Sequence, residues 1–191
     1  GSGGRELGKR LAEELGIPCY DHQIIEMIAK ENGFDERYVA NVSEKSIEAA
    51  YPMTIGHSFA MPPIQLMDQP IRVAAAQRQI IENFAKQGDC VIIGRCADYV
   101  LDGTEGLIRV FLYADIKVRE ERVRERNLYA DKDVLKNIHR IDRERRDYNR
   151  YYAGRDWEKP ENYDLLINTT QIGVDGAVQL IKDYLKMRGL L

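Results

Sequence analysis

Two hydrophobic rhythms alternate along this chain. Compact apolar runs read as buried strands, and between them apolar residues recur every three or four positions, as on one face of a helix. Leu7, Leu11 and Leu15 repeat every fourth residue, with charges on the opposite face. Ile17-Pro18-Cys19-Tyr20 is a short apolar run that stops at Asp21. A helix is predicted from about 23 to 32, closed by Gly33, and Asp35 is placed to cap another short one. From about 46 to 70 the pattern breaks into prolines and scattered Met, Phe and Ile, which reads as a loop or partly helical segment. A long helix follows from about 71 to 86. Cys90-Val91-Ile92-Ile93 is a fully apolar strand leading into Gly94-Arg95. A second buried strand spans 107–114, and strongly charged helices cover about 116–128 and 132–152. Tyr163 to Asn168 forms a late strand, and a last helix runs from about 174 to 187.

Apolar strands joined by helices predict an α/β fold with a parallel sheet covered on both faces. In such folds ligands bind at the carboxyl ends of the strands. The polar residues that follow each strand are Asp21, Arg95, Asp115 and the run Asn168-Thr169-Thr170.

The first helix is preceded by Gly1-Ser2-Gly3-Gly4. Glycines allow a tight turn and close approach to a ligand, and the free N–H groups of the following helical turn favour an anion. The layout is that of a phosphate cradle. It departs from the G-x-x-x-x-G-K-[ST] pattern. Aligned through Leu-Ala-Glu-Glu-Leu-Gly, Gly4 stands at the lysine position, Arg5 at the metal-binding hydroxyl, and Glu6 beside it. Read alone, the segment fits a phosphate loop or a flexible glycine-rich terminus before a surface helix. A phosphate loop requires a hydrophobic strand before it, so one is expected upstream of Gly1.

Composition narrows the class. The 191 residues are 44% hydrophobic, enough for a single cored domain. No apolar run is long enough for a membrane span, and no signal peptide is evident. Cys19, Cys90 and Cys96 make no CxxC pair and no zinc spacing with His22, His57 and His139, so reduced thiols and a cytoplasmic location are expected. The net charge of −3 argues against general nucleic-acid binding. Lys117 to Arg155 nevertheless holds thirteen Lys/Arg against eight Asp/Glu, which reads as a solvated helix face or as a phosphate clamp.

Two segments carry candidate chemistry. Arg95, at a strand's carboxyl end, is placed for a forked contact with phosphate. Arg143, Arg146, Asp147 and Arg150 recur at helical spacing on one face. Several guanidiniums beside one carboxylate suit phosphoryl transfer, where charge develops on the moving group's outer oxygens. An ion-paired exposed helix has the same pattern. Trp157 and the Tyr148, Tyr151, Tyr152 cluster read as packing groups.

In this order, the motifs resemble the cytidylate kinase-like family of P-loop nucleoside monophosphate kinases. The resemblance is strongest to a divergent bacterial branch with Gly-Ser-Gly-Gly-Arg-Glu where a lysine usually stands. It covers nearly the whole chain: Gly1 to Gly16, Tyr20-Asp21, Gly94-Arg95, Arg143 to Arg150, and Tyr163 to Thr170.

The resemblance implies one domain over 1–191, a P-loop NTPase-type parallel sheet flanked by helices, a mobile acceptor-side segment over about 35–70 and a helical lid over about 116–155. It implies that Gly1, Ser2, Gly3, Gly4, Arg5 and Glu6 bind the donor, with Thr169 and Thr170 near its adenine. It places Asp21, Arg72, Arg95 and Asp147 on the acceptor, and makes Arg5, Arg95, Arg143, Arg146 and Arg150 the catalytic cations. ATP and Mg2+ are the implied cofactors, and CMP or dCMP the implied acceptor. Expected partners are small nucleotides, with no nucleic acid and no membrane, in a monomer or homodimer. Cys96 stands where the family's Gly-Arg-Asp has aspartate, and Glu144 where the lid has its first aspartate. Two alternatives follow: from the lost aspartate, a kinase for a non-nucleotide small molecule, and from the missing lysine and hydroxyl of the phosphate loop, a nucleotide-binding regulatory protein that has lost catalysis.

Overall fold

The structure is a computed structural model and describes residues 1–43, 64–126 and 129–191. Its elements in chain order are α1 (Gly4–Leu15), β1 (Cys19–Tyr20), α2 (His22–Asn32), α3 (Glu36–Val42), α4 (Ile64–Gln87), β2 (Val91–Ile92), α5 (Ala97–Val100), β3 (Val110–Tyr113), α6 (Ile116–Glu125), α7 (Val134–Ala153), β4 (Leu165–Asn168) and α8 (Thr169–Met187). Asp35 caps α3 as expected, its carboxylate accepting from the amides of Arg37 and Tyr38. The expected irregular stretch 46–70 lies mostly outside the described residues. Residues 64–70 extend α4, with the buried Pro70 inside it. Gly173 has non-helical angles, so the regular last helix begins near 174.

The strands are shorter than the sequence suggests, and they form two parallel pairs. β1 pairs with β2, in register Tyr20 with Ile92, and β3 pairs with β4, in register Tyr113 with Asn168. The expectation of one central sheet is met only in part. Among the described residues no hydrogen-bonded ladder joins β2 to β3. Helix α1 spans the two pairs through side chains. A Cβ on Gly8 would stand 2.9 Å from Ile93 of the β2 end, and one on Gly4 would stand 3.9 Å from Leu112 of β3. The missing side chain at Gly8 is therefore what lets α1 lie close to the sheet.

Burial is divided among three clusters. The largest joins α2, α3, α4 and α5 through residues such as Ile24, Ile28, Val39 and Ile81. A second joins α1, β4 and α8 through Leu7, Leu11, Ile167 and Val178. Among the described residues the third, between α6 and α7, has Val123, Val134 and Ile138 as its buried members, with Tyr129 packed against them. The helices expected to form a lid thus share a thin apolar seam. No described helix is long and apolar enough to cross a membrane.

Candidate functional site

The carboxyl ends of β1 and β4 both meet the start of α1, since Asp21 pairs with Arg5 and the Thr169 hydroxyl bonds Ser2 O. Gly3 precedes α1 with φ 94°, a left-handed turn open to glycine, and the helix starts at Gly4. The first intrahelical bond runs from Leu7 N–H to Gly3 O at 2.9 Å. The amides of Gly4, Arg5 and Glu6 therefore precede the ladder and point out of the helix end.

The glycine loop is held from behind. Arg122 of α6 donates through Nη1 to Thr169 Oγ1 at 2.9 Å and through Nη2 to Thr169 O at 3.1 Å. The Thr169 hydroxyl donates to Ser2 O at 2.9 Å, with Tyr113 O at 3.3 Å as the alternative acceptor. Thr169 is fully buried, so its side chain fixes the loop from the protein side. Thr170 Oγ1 accepts from the Asp115 amide at 2.8 Å, and Asn168 Oδ1 accepts from the Thr170 amide at 2.9 Å. Arg119, also on α6, lies against Gly1 and pairs with Asp142 of α7 at 2.7 Å.

At the other strand pair, Asp21 follows β1 and its carboxylate receives Arg5 Nε at 2.5 Å. This pair ties the glycine loop to the end of the neighbouring strand. Glu6 is held by Arg10 at 3.3 Å and lies 4.0 Å from Arg126. Arg95 follows β2, is 8% exposed and has φ 59°; Cys96 follows at 51°. Gln77 Nε2 of α4 donates to Arg95 O at 3.0 Å and to the Tyr148 hydroxyl at 2.8 Å. The Cys96 thiol donates to Asn149 Oδ1 at 3.3 Å. Burial pushes that thiol up to about 12, with the Asp98 charge adding and Arg155 opposing. It is a packed, neutral group. Burial likewise raises Tyr148, and it raises Asp98 against the pull of the paired Arg155.

The face of α7 that carries the candidate arginines is exposed. Arg146 Nη1 reaches Glu158 at 2.9 Å and Arg150 Nη2 reaches Asp156 at 3.3 Å. Arg143 and Asp147 are exposed on the same face. A cavity of about 420 Å³ is lined by Arg146, Arg150, Asp156, Trp157, Glu158 and Lys159. Trp157 packs edge-on against Phe111 at 5.3 Å, with the Arg145 guanidinium 5.9 Å from its ring centre. Tyr148, Tyr151 and Tyr152 pack on one another. Arg72 is exposed on α4, its guanidinium 5.4 Å from the Phe34 ring centre. Among the described residues no three metal-ligating side chains cluster.

The geometry thus joins Arg5 to Asp21 and Arg95 to α7, and it places the α7 arginines on a separate, solvent-facing surface. The sequence reading missed Arg119 and Arg122. Their signal was present, since Arg119, Arg122 and Arg126 fall at spacings of three and four within the basic stretch. It also missed Gln77, a polar residue at a core position between Val73 and Ile80 on the buried face of α4.

Comparison with known proteins shows the family and the fold. The profile described as "Cytidylate kinase-like family" matches residues 1–171. The cytidylate kinase of Pyrococcus horikoshii is 28% identical over 185 residues, covering 95% of this chain and 82% of that protein. The cytidylate kinase of Pyrococcus furiosus is 28% identical over 184 residues, with the same shares of each chain. The crystal structure of an uncharacterized protein from Eubacterium ventriosum superposes with a TM-score of 0.71 at 24% identity, covering 97% of this chain and 92% of that one. The last likeness is one of fold.

Proposed function

Because the chain belongs to the cytidylate kinase-like family, we propose that it transfers the γ-phosphoryl of ATP to a nucleoside monophosphate, with CMP or dCMP as the acceptor. Magnesium enters as part of the donor substrate, held chiefly by the nucleotide's own phosphates. The observation that carries the reading is the Arg5–Asp21 pair at 2.5 Å, which joins the glycine loop to the acceptor-side strand end.

In this reading the amides of Gly4, Arg5 and Glu6 hold donor phosphate oxygens, and Arg5 supplies the charge a lysine gives elsewhere. Arg95 orients the acceptor phosphate. An acceptor oxygen, already anionic at neutral pH, bonds to the γ-phosphorus as the bond to the β-phosphate oxygen breaks and ADP leaves. No strong general base is needed. Arg143, Arg146 and Arg150 neutralise charge on the group in transfer, which requires α7 to bring them inward from their exposed positions. Arg122 and Thr169 keep the loop in place from behind, so Thr169 acts here through loop position, and Thr170 through the Asp115 amide.

The test is ADP production from ATP with magnesium across a panel of nucleoside monophosphates, with Arg95→Ala beside the parent. Turnover with CMP or dCMP and a loss of about a hundredfold or more in the variant support the reading. Activity within a few-fold of the parent removes Arg95 from the site. A second reading, a kinase for a non-nucleotide metabolite, is favoured by Cys96. Its thiol is bound inward to Asn149 and offers an acceptor base no carboxylate. Turnover restricted to a non-nucleotide acceptor would select it.

A further inference from the structure

A buried amide joins the acceptor-side turn to the lid helix. Helix α4 turns Val73, Gln77, Ile80, Ile81 and Phe84 inward, and Gln77 is the polar member of that face at 3% exposure. Its Nε2 serves both the Arg95 carbonyl, at 3.0 Å, and the Tyr148 hydroxyl, at 2.8 Å. A backbone carbonyl can only accept, so Arg95 fixes which way the amide faces. One residue on, the Cys96 thiol meets Asn149 Oδ1, and Asn149 Nδ2 returns to Arg145 O at 3.0 Å. Arg95 and Cys96 are consecutive non-glycine residues in left-handed geometry, which persists only where the surroundings hold it. Tyr148 and Asn149 are buried and lie between the exposed Arg146 and Arg150 in sequence on α7.

Packing does not account for this residue. Gln77 Oε1 is buried and has no hydrogen-bond partner among the described residues. An unsatisfied buried carbonyl destabilises, and a methionine would fill similar volume without that loss. What the amide does that methionine cannot is link two segments, 18 and 71 residues along the chain from it, each carrying part of the candidate site.

We propose that Gln77 is a positioning residue for the reaction. It sets the acceptor-side Arg95 turn against α7 and so fixes where the lid arginines Arg146 and Arg150 stand relative to it. The inference rests on the phosphoryl-transfer reading and adds the part that makes acceptor site and lid one unit.

The experiment compares Gln77→Met, Tyr148→Phe and the double variant in the full chain, by steady-state turnover and by hydrogen exchange of the ligand-free protein. Gln77→Met is expected to raise the acceptor KM about tenfold and lower kcat, while the ATP KM stays within about twofold. Tyr148→Phe gives a smaller effect of the same kind. The double variant is no worse than Gln77→Met alone, because both remove one link. In hydrogen exchange, both single variants speed the amides of residues 96–100 and of 146–152 together. A lowered Tm with unchanged KM values, or losses that multiply in the double variant, overturns the proposal. If the parent transfers phosphoryl to no acceptor, the kinase reading falls. Exchange then decides the link itself: faster exchange at both segments retains it, and faster exchange confined to α4 ends it.

Discussion

Two sets of arginines, on the neighbouring helices α6 and α7, stand under opposite conditions. Arg122 and Arg119 of α6 are half-buried and bonded inward: Arg122 grips both the hydroxyl and the carbonyl of Thr169, and Arg119 holds Asp142 at 2.7 Å through Nη2. Arg146 and Arg150 of α7 are exposed, and each holds one acidic side chain from the segment just downstream. Electrostatics in a half-buried, multiply bonded site is strong, whereas an exposed pair contributes little net stability. The first set therefore belongs to the framework that shapes the glycine loop. The second is held loosely enough to exchange a protein carboxylate for a phosphate oxygen. The thin seam of Val123, Val134 and Ile138 lies between the two helices, and so between the two regimes.

The strongest way to break this comparison is at Arg122. Arg122→Ala leaves the buried Thr169 and the Ser2 turn without their brace, and a loss of about 2–4 kcal/mol in urea unfolding is expected. A change below about 0.5 kcal/mol would place Arg122 with the loosely held set. Next is Arg150→Ala, which should leave urea unfolding within about 0.5 kcal/mol of the parent. Its phosphoryl transfer should fall by about a hundredfold. A destabilised but fully active variant would reverse the assignment.

A smaller effect sharpens the comparison from the side of pH. The Cys96 thiol is pushed up to about 12 by burial from an ordinary value of 9.0, and Tyr148 is raised for the same reason. Folding thus favours the protonated forms. That contribution is complete below the unfolded-state pKa values, near pH 9, and is lost as pH rises toward the folded-state ones. Stability should decline above pH 9, with Cys96 supplying a slope of at most about 1.4 kcal/mol per pH unit. Cys96→Ala should flatten that slope in alkaline unfolding curves, and an unchanged slope would assign it to the tyrosines. The smallest effect belongs to Glu158→Gln, which frees Arg146. Stability should not change measurably, and the ATP KM should fall about twofold. A rise in KM would mean that Glu158 helps to hold the donor.

Sequence and structure agree where a local rule decides. Helical periods of three and four placed α2, α6 and α7 within a few residues, Gly33 ended α2, and Asp35 capped α3. The strand ends were found because an apolar run followed by Asp21, Arg95 or Asn168 needs no partner to be recognised. What was not legible depends on who faces whom. Nothing in the spacing of Thr169 tells that its hydroxyl turns inward to Ser2 O. The basic run could be counted, but only packing separates Arg119 and Arg122, bonded inside, from Arg146 and Arg150, bonded at the surface. Strand lengths were overread, because Cys90 to Ile93 is apolar throughout while only Val91 and Ile92 pair with β1. Gln77 was passed over since one polar residue on a long helix is invisible until its two partners, 18 and 71 residues away, are brought to it.

The glycine at position 8 constrains anyone who would improve this protein. By propensity alone, Gly8→Ala in the middle of α1 is an attractive stabilising change, with a gain of about 1 kcal/mol expected in an open helix. Here the added methyl group would meet the Ile93 side chain at 2.9 Å, so that side chain must turn aside or the helix must rise. A rising helix would lift the loop at the head of α1 off its bracing threonine, and the strand end that leads to Arg95 would shift with it. Thermal robustness and catalytic alignment compete at this one position, and a screen for heat tolerance alone would select against the alignment.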